Sequence, residues 1–369
     1  MRAVLVRLPR RAACRAAGRV VGEPLMRALD VLKLPLHALA LAGKTKSFVA
    51  NPLIGSHWLN ERGLHRQRVD LADRTAWARR RQLGKVLSAD ERDAYARDGF
   101  VVKRDFLPAE LFARLQAEAP AHVAAAREMR QGPAVTRRVA LDRVDAAHLP
   151  SAVAAANDPR IDQLMRYVGA HDAVALMYLQ TIIVDPARGV QDPQTVLHRD
   201  TFHAIAKAWL FLQDVGEDDG PFSYVPGSHR LTDAMRAWEY EESLTAASSE
   251  NVYHARGSFR MPPADLGRLG LGPALKVVVA ANTLVVADTH GFHARTPSLR
   301  PTVRMEIYGT LRGNPYGLGF GLDPLAWPGI RSRRANLVDQ AEELAGRLKL
   351  GGKGWPVVSA RRMDSPEIG

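Results

Sequence analysis

The stretch VLHRDTFH, Val196–His203, sets two imidazoles and a carboxylate side by side: His198, Asp200 and His203. On a strand, residues two apart share a face. His198 and Asp200 then aim together, Arg199 aims away, and His203, five residues on, falls on the opposite face. One imidazole beside one carboxylate is two thirds of a metal site. Two histidines and a carboxylate, with coordination positions left open, are the ligand set of non-haem Fe(II) oxygenases. The same H-x-D step also fits a surface histidine beside an ion-paired aspartate. A second histidine decides between them. Downstream stand His203, His229 in a GSH turn, His254 in a polar insertion, and His290 and His293 in NTLVVADTHGFHART. The last of these stretches reads as strand, turn at Gly291, strand, which presents a histidine at a barrel mouth. The pattern leaves His290 and His293 both open.

These residues need a scaffold. QTVL before the motif and AIAKAWLFLQD after it read as strands. So do FVVKRDFL, AVALMYLQTIIVD, PFSYVPG, LKVVVA, NTLVVAD and VRMEIYGTL, separated by Gly and Pro clusters that mark turns. LSADERDAYARDGF opens a helix with a capping box, Ser88 with Glu91, and Gly99 ends it. PAELFARLQAEA begins a second helix at Pro108, and NLVDQAEELAGRLKLGG forms a late one closed by glycines. Helices first and short strands after predict a mostly β fold, a sandwich or barrel flanked by helices. An Arg-rich stretch between the second helix and AVALMYLQTIIVD is left without elements.

Composition bounds the partners. The 369 residues are 46% hydrophobic and 24% charged, ordinary for a soluble globular protein. The one cysteine, Cys14, excludes an internal disulfide and a Cys-based zinc cluster, and fits a reducing compartment. The net charge of +12 is unevenly spread: residues 1–85 hold 18 Lys+Arg against 5 Asp+Glu, the remainder 33 against 34. The first quarter is therefore a basic helical N-terminal extension. Its PLMRALDVLKLPLHALALAG is broken by Pro35 and stops near Gly43, and no apolar run reaches the roughly 18 residues that span a bilayer. Two readings stand: an arm meeting an anionic membrane, with Leu5, Leu8, Leu25, Leu32 and Leu36 inserting shallowly, or a basic helical segment packed on its own domain. The Arg-rich, acid-poor start also matches an organelle transit peptide. Basic residues without a recognition motif argue against nucleic acid. The expectation is a cytoplasmic protein, with peripheral membrane contact or organelle import as alternatives.

The stretch LHRDTFHAIAKAWLFLQDVGEDDGPFSYVPGSHRLT, followed by NTLVVADTHGFHARTPSLRPTVRMEIYG, resembles the phytanoyl-CoA dioxygenase family, as does the opening LSADERDAYARDGFVVKRDFLPAELFARL. The resemblance spans residues 86–315, between the extension (1–85) and a C-terminal helical tail (316–369). It implies a double-stranded β-helix, the cupin-like jelly-roll, and an Fe(II)- and 2-oxoglutarate-dependent dioxygenase. The family pattern is H-x-D, a Gly-x-x-x-x-Pro-Gly-Ser/Thr-His turn, a distal His, and an Arg eleven residues beyond it. Arg304 stands eleven beyond His293, whereas His290 would need its Arg at Pro301. The resemblance thus implies His198, Asp200 and His293 as metal ligands and Arg304 as the clamp for 2-oxoglutarate, with Gln180 a candidate pocket residue. It also implies O2 as co-reactant and succinate and CO2 as products. Asp200 fills a position that is small in related halogenases, which favours hydroxylation of a small-molecule or lipid-like substrate. Two positions depart from the family: Arg295 and Ser298 replace a usual Ser and Asn, and Arg295 becomes a competing anion binder. Glu306 is a plausible ion-pair partner for Arg304. Trp209 reads as a core aromatic, and His229 as architectural. The insertion Leu231–Pro273, with Trp238, Tyr240, Tyr253, His254, Arg256 and Arg260, is the candidate substrate-side lid. The alternatives are a non-catalytic jelly-roll tethered to a polyanionic surface by the basic arm, and a zinc hydrolase on the same ligands, which Arg304 disfavours.

Overall fold

Alternation along one long strand organises the molecule. In the computed structural model, which describes residues 33–189, 191–317, 324–348 and 355–369, strand Thr302–Leu311 runs through the middle of a seven-stranded antiparallel sheet. Met305 and Ile307 point to one side, into a core shared with helices. Arg304, Glu306 and Tyr308 point to the other, into a cavity. A period of two sorts core from site along a single segment.

The strands in chain order are β1 (Phe100–Lys103), β2 (Val123–Ala124), β3 (Arg127–Gln131), β4 (Ala134–Ala140), β5 (Leu176–Val184), β6 (Ala206–Phe211), β7 (Phe222–Tyr224), β8 (Leu275–Lys276), β9 (Thr283–Asp288), β10 (His293–Arg295), β11 (Thr302–Leu311) and β12 (Arg361–Arg362). The large sheet has the order β1-β9-β6-β11-β5-β4-β3, a second sheet has β10-β7-β8, and β12 pairs with β2. Phe211, Phe222, Tyr224, Val279 and Val285 fill the space between the two sheets. This is a jelly-roll, with the helices on the outer face of the large sheet, as expected from the sequence. Two segments differ from that reading. QTVL is a short turn, Pro193–Thr195, followed by bridge-paired backbone rather than a strand. The Arg-rich middle folds into the hairpin β3–β4.

The helices are α1 (Leu34–Leu41), α2 (His57–Glu61), α3 (Leu64–Leu83), α4 (Ala89–Asp98), α5 (Ala109–Ala121), α6 (Pro150–Ala156), α7 (Pro159–Val168), α8 (Asp233–Thr245), α9 (Val252–Ala255), α10 (Pro328–Arg331) and α11 (Arg334–Arg347). The Ser88–Glu91 capping box closes in both directions, and Gly99 ends α4 with φ 87°, a conformation glycine takes without steric cost. The expectations on residues 1–32, including Leu5, Leu8, Leu25 and Leu32, lie outside the described residues. Among the described residues no helix is long and apolar enough to cross a membrane.

Part of the extension's positive charge is consumed inside the fold. Helix α3 buries His65, Arg68, Val69, Ala72, Ala76 and Arg80, a helical stripe. Arg80 Nη2 donates to Asp288 Oδ2 at 3.0 Å and to the Val168 carbonyl at 2.8 Å. Tyr95 Oη donates to the same carboxylate oxygen, while Asp288 Oδ1 accepts from the backbone amides of His290 and Ile205. Burial pushes the Asp288 carboxyl up, against Arg80 and these donors. Removing one partner of a buried pair strands the other charge, a cost of about 3–5 kcal/mol. Arg80→Met should therefore lower the unfolding free energy in urea by about that amount. A loss below about 1 kcal/mol, the range of an exposed pair, would show that Asp288 does not depend on Arg80.

Candidate metal centre

The site begins with backbone pairing. His198 and His293 exchange both amide-to-carbonyl hydrogen bonds at 3.0 Å, which sets their rings 4.4 Å apart. The Asp200 amide donates to the Thr289 carbonyl at 2.9 Å, so the segment after His198 is held along the turn between β9 and β10. Gly291 lies in that turn, and a Cβ there would overlap the Tyr224 hydroxyl.

His198 Nδ1 lies 2.7 Å from the Val196 carbonyl and His293 Nδ1 lies 2.9 Å from that of Gly291. A carbonyl only accepts, so Nδ1 carries the proton in both rings and each Nε2 keeps its lone pair. Those Nε2 atoms lie 3.7 Å from Asp200 Oδ1 and Oδ2 respectively. One ligand atom from each of His198, Asp200 and His293 falls within 4.8 Å of the others, a group that could hold a metal ion. Burial, against the opposing pull of Asp200, lowers His198 well below the usual imidazole range and His293 to about 4. Neutral imidazoles are what a metal requires. Burial opposes charge on Asp200, yet Lys207, followed by His293 and His198, holds it well below the usual carboxylate range. Lys207 Nζ is 2.6 Å from Asp200 Oδ2.

The other candidate histidines are elsewhere. His290 Nε2 is 2.6 Å from Arg199 Nη2, and since a guanidinium only donates, that lone pair is taken. His203 Nδ1 meets the Ala204 carbonyl, His229 packs on Tyr95, and His254 stacks on Phe259 with Nε2 3.0 Å from Glu242 Oε2. Arg199 points away from the candidate ligands His198 and Asp200, as alternation requires. It is fully buried, its Nη1 donating to Glu239 Oε1 and its Nε to the His290 carbonyl. Glu239 Oε2 meets His65 Nε2 at 2.9 Å.

A cavity of about 290 Å³ opens beside the triad between the two sheets. His198, His293, Gln180, Lys207, Trp209, Phe222, Arg295, Arg304, Glu306 and Tyr308 line it, together with Met129 and Gln131 of the β3–β4 hairpin and Trp355. Arg304 Nη1 donates to the Gly220 carbonyl at 2.8 Å, and its Nε lies 3.3 Å from Glu306 Oε2 without the alignment of a hydrogen bond. Gln180 donates to Glu306 Oε1 at 2.7 Å. Arg295 Nη1 is 2.9 Å from Asp192 Oδ2. Both arginines at this end of the cavity thus face a carboxylate.

Two expectations need correction. Trp209 packs against the core between the two sheets but also forms part of the cavity wall, 4.7 Å from Phe222. The insertion does not line this cavity; it meets the segment of His198 through the backbone bridge between Arg260 and His198. The sequence reading missed Lys207, Trp355 and the hairpin. A single lysine inside the apolar run AIAKAWLF was the signal for Lys207. Trp355 carried none.

The fold and the ligand face define the class: a jelly-roll with a two-histidine, one-carboxylate cluster at the mouth of its cavity. Residues 95–264 match the family described as phytanoyl-CoA dioxygenase (PhyH). The match includes His198 and Asp200; His293 and Arg304 lie beyond it. Among solved structures the chain is similar to the non-haem alpha-ketoglutarate-dependent epimerase SnoN from nogalamycin biosynthesis, at 22% identity over 63% of this chain and 90% of that one, TM-score 0.42. It is also similar to HygX from Streptomyces hygroscopicus with nickel, 2-oxoglutarate and hygromycin B bound, at 17% identity over 61% and 86%, TM-score 0.36. The carbocyclase SnoK, also from nogalamycin biosynthesis, is similar at 17% identity over 74% and 95%, TM-score 0.38. A search of the curated proteins finds no match.

Proton uptake follows from the buried rings. Burial first lowers His293 to about 4 and His203 and His229 to about 3, each from 6.5. Below pH 6.5 the unfolded chain therefore binds protons that the folded chain refuses, so stability falls as pH drops toward 4. Calorimetry of metal-free protein should show Tm falling across that window. A flat Tm would mean that these rings are not held neutral.

Proposed function

We propose that the protein is an Fe(II)- and 2-oxoglutarate-dependent dioxygenase that hydroxylates a small-molecule or lipid-like substrate. The observation that carries this reading is the paired Nδ1 anchoring of His198 and His293, which turns two Nε2 lone pairs toward Asp200. His198, Asp200 and His293 are the metal ligands. Bound Fe(II), with 2-oxoglutarate and O2, supplies oxidative decarboxylation to succinate and CO2, with the second oxygen atom going to the substrate. Arg304 and Gln180 hold the far carboxylate of 2-oxoglutarate: a guanidinium fork matches a carboxylate, and both residues line the cavity. Glu306 sits between them and partly neutralises Arg304. Asp200 occupies the coordination position a halide would need, which supports hydroxylation. Trp209, Phe222 and Tyr308 give the cavity an aromatic wall that restricts water around the reacting groups.

Anaerobic titration tests this. Wild-type protein should bind about one Fe(II) per chain, develop a visible charge-transfer band with 2-oxoglutarate, and form succinate in air. His198→Ala, Asp200→Ala and His293→Ala should each remove the band, and His290→Ala should keep it. Arg304→Ala should weaken 2-oxoglutarate by about 2–5 kcal/mol with iron retained, and Glu306→Gln should tighten it. Loss of the band in His290→Ala alone would refute the ligand assignment. Loss of 2-oxoglutarate affinity in Arg295→Ala but not in Arg304→Ala would move the clamp.

A peripheral membrane contact is the second part of the reading. Helix α1, LPLHALAL, buries no residue, and Leu36 and Leu39 are 66% and 74% exposed at the foot of the basic arm. An apolar helix beside excess positive charge suits the interface of an anionic bilayer. Full-length protein should co-sediment with phosphatidylserine vesicles at low salt. Leu36→Asp with Leu39→Asp, and separately removal of residues 1–32, should each reduce this. Equal sedimentation of all three proteins would exclude the contact.

A further inference from the structure

Charge is distributed differently at the two ends of the site. At the cosubstrate end, Arg304 faces Glu306 and Arg295 faces Asp192. Asp200 interacts with cations from four segments: Lys207 on β6, its Nζ 2.6 Å from Oδ2, Lys46 between α1 and α2, Arg260 in the backbone bridged to His198, and Arg312 directly after β11. Lys46 Nζ donates to the Asp200 carbonyl. The Asp200 carboxylate favours the charged forms of Lys46, Arg260 and Arg312, and it forms its side-chain ion pair with Lys207.

These cations are positioned rather than free on the surface. The Phe48 amide donates to the Ala255 carbonyl at 3.0 Å, which ties the Lys46 segment to the Arg260 segment. Arg312 Nη2 donates to the Lys44 carbonyl at 3.3 Å. The Arg260 guanidinium lies 4.8 Å over the Tyr253 ring, and its Nη1 is buried with no hydrogen-bond partner. A buried guanidinium nitrogen without an acceptor is costly unless something supplies one. A divalent ion on the triad would raise the positive excess further.

We propose that Lys46, Arg260 and Arg312 form an anion subsite on the substrate side of the metal, which recognises a phosphate-ester or carboxylate group on the substrate. This deepens the dioxygenase reading and rests on it for the position of the metal. The subsite orients the substrate by its anionic group and leaves an uncharged part at the metal. It also gives the insertion a substrate-side role through Arg260 and Tyr253, at the mouth rather than along the cavity.

The test uses full-length protein with Co(II) in place of iron and 2-oxoglutarate present, Zn(II) as the diamagnetic control, and two probes, methyl phosphate and butyrate. Paramagnetic broadening of the probe signals reports proximity to the metal, and isothermal titration gives affinity. Wild type should bind one probe class with broadening. Lys46→Gln with Arg260→Gln, and Arg312→Gln alone, should each weaken that probe at least ten-fold. Arg260→Lys with Lys46→Arg, which keep the charge, should retain binding and guard against a folding defect. Preference for methyl phosphate or for butyrate identifies the substrate's anion. Unchanged probe affinity in the Gln variants, or no binding of either probe to wild type, would overturn the subsite. Absence of Co(II) binding would instead refute the metal reading, while probe affinity for metal-free protein would still decide the subsite.

Discussion

A fully buried guanidinium between His198 and Asp200, two members of the candidate metal cluster, constrains the rest of the molecule. Alternation sends Arg199 inward because His198 and Asp200 face the mouth. Its charge must be met where water cannot reach. Glu239 from α8 meets it, and the carbonyl and ring of His290 take its remaining donors. The second oxygen of Glu239 then takes His65 from α3. One ion pair thereby links the metal segment, the insertion, the β9–β10 turn and the N-terminal extension. Breaking such a pair leaves an uncompensated charge worth about 3–5 kcal/mol. The insertion and the extension are held to the site by this requirement and by Arg80 on Asp288.

Around that anchor the electrostatics separate into two regions. The cavity end carries arginines already opposed by Glu306 and Asp192, so a carboxylate entering there competes with an internal one. Beside Asp200, the described residues bring Lys46, Lys207, Arg260 and Arg312 to one carboxylate. Burial first, and then the neighbouring Arg312, Lys207 and Arg260, lower the Lys46 ammonium to about 8 against the pull of Asp200.

Much of the scaffold was legible in the sequence because it depends on near neighbours. The Ser88–Glu91 box, the stop at Gly99 and the common face of His198 and Asp200 follow from three- and two-residue spacings. The alternation of β11 separates Met305 and Ile307 from Arg304, Glu306 and Tyr308 in the same way. The hairpin β3–β4 escaped because AVTRRVA buries an arginine, Arg137, against Glu128, and so lacks an apolar alternation. The cavity-facing role of Trp209 escaped because an aromatic on an apolar strand looks the same beside a core or a cavity.

The sequence by itself determined the element types, the H-x-D face, the uneven charge and, through its family pattern, the spacing between His293 and Arg304. The residues alone left His290 and His293 open. Tertiary structure separated them, since only the register that bonds His293 to His198 turns its Nε2 toward Asp200, while Arg199 occupies that of His290. The opposition of Arg295 by Asp192, and the convergence of Lys46, Lys207, Arg260 and Arg312 on Asp200, were also decided there. These contacts join residues far apart in the chain, and whether a charge is paired depends on which segments the fold brings together, which no local spacing encodes.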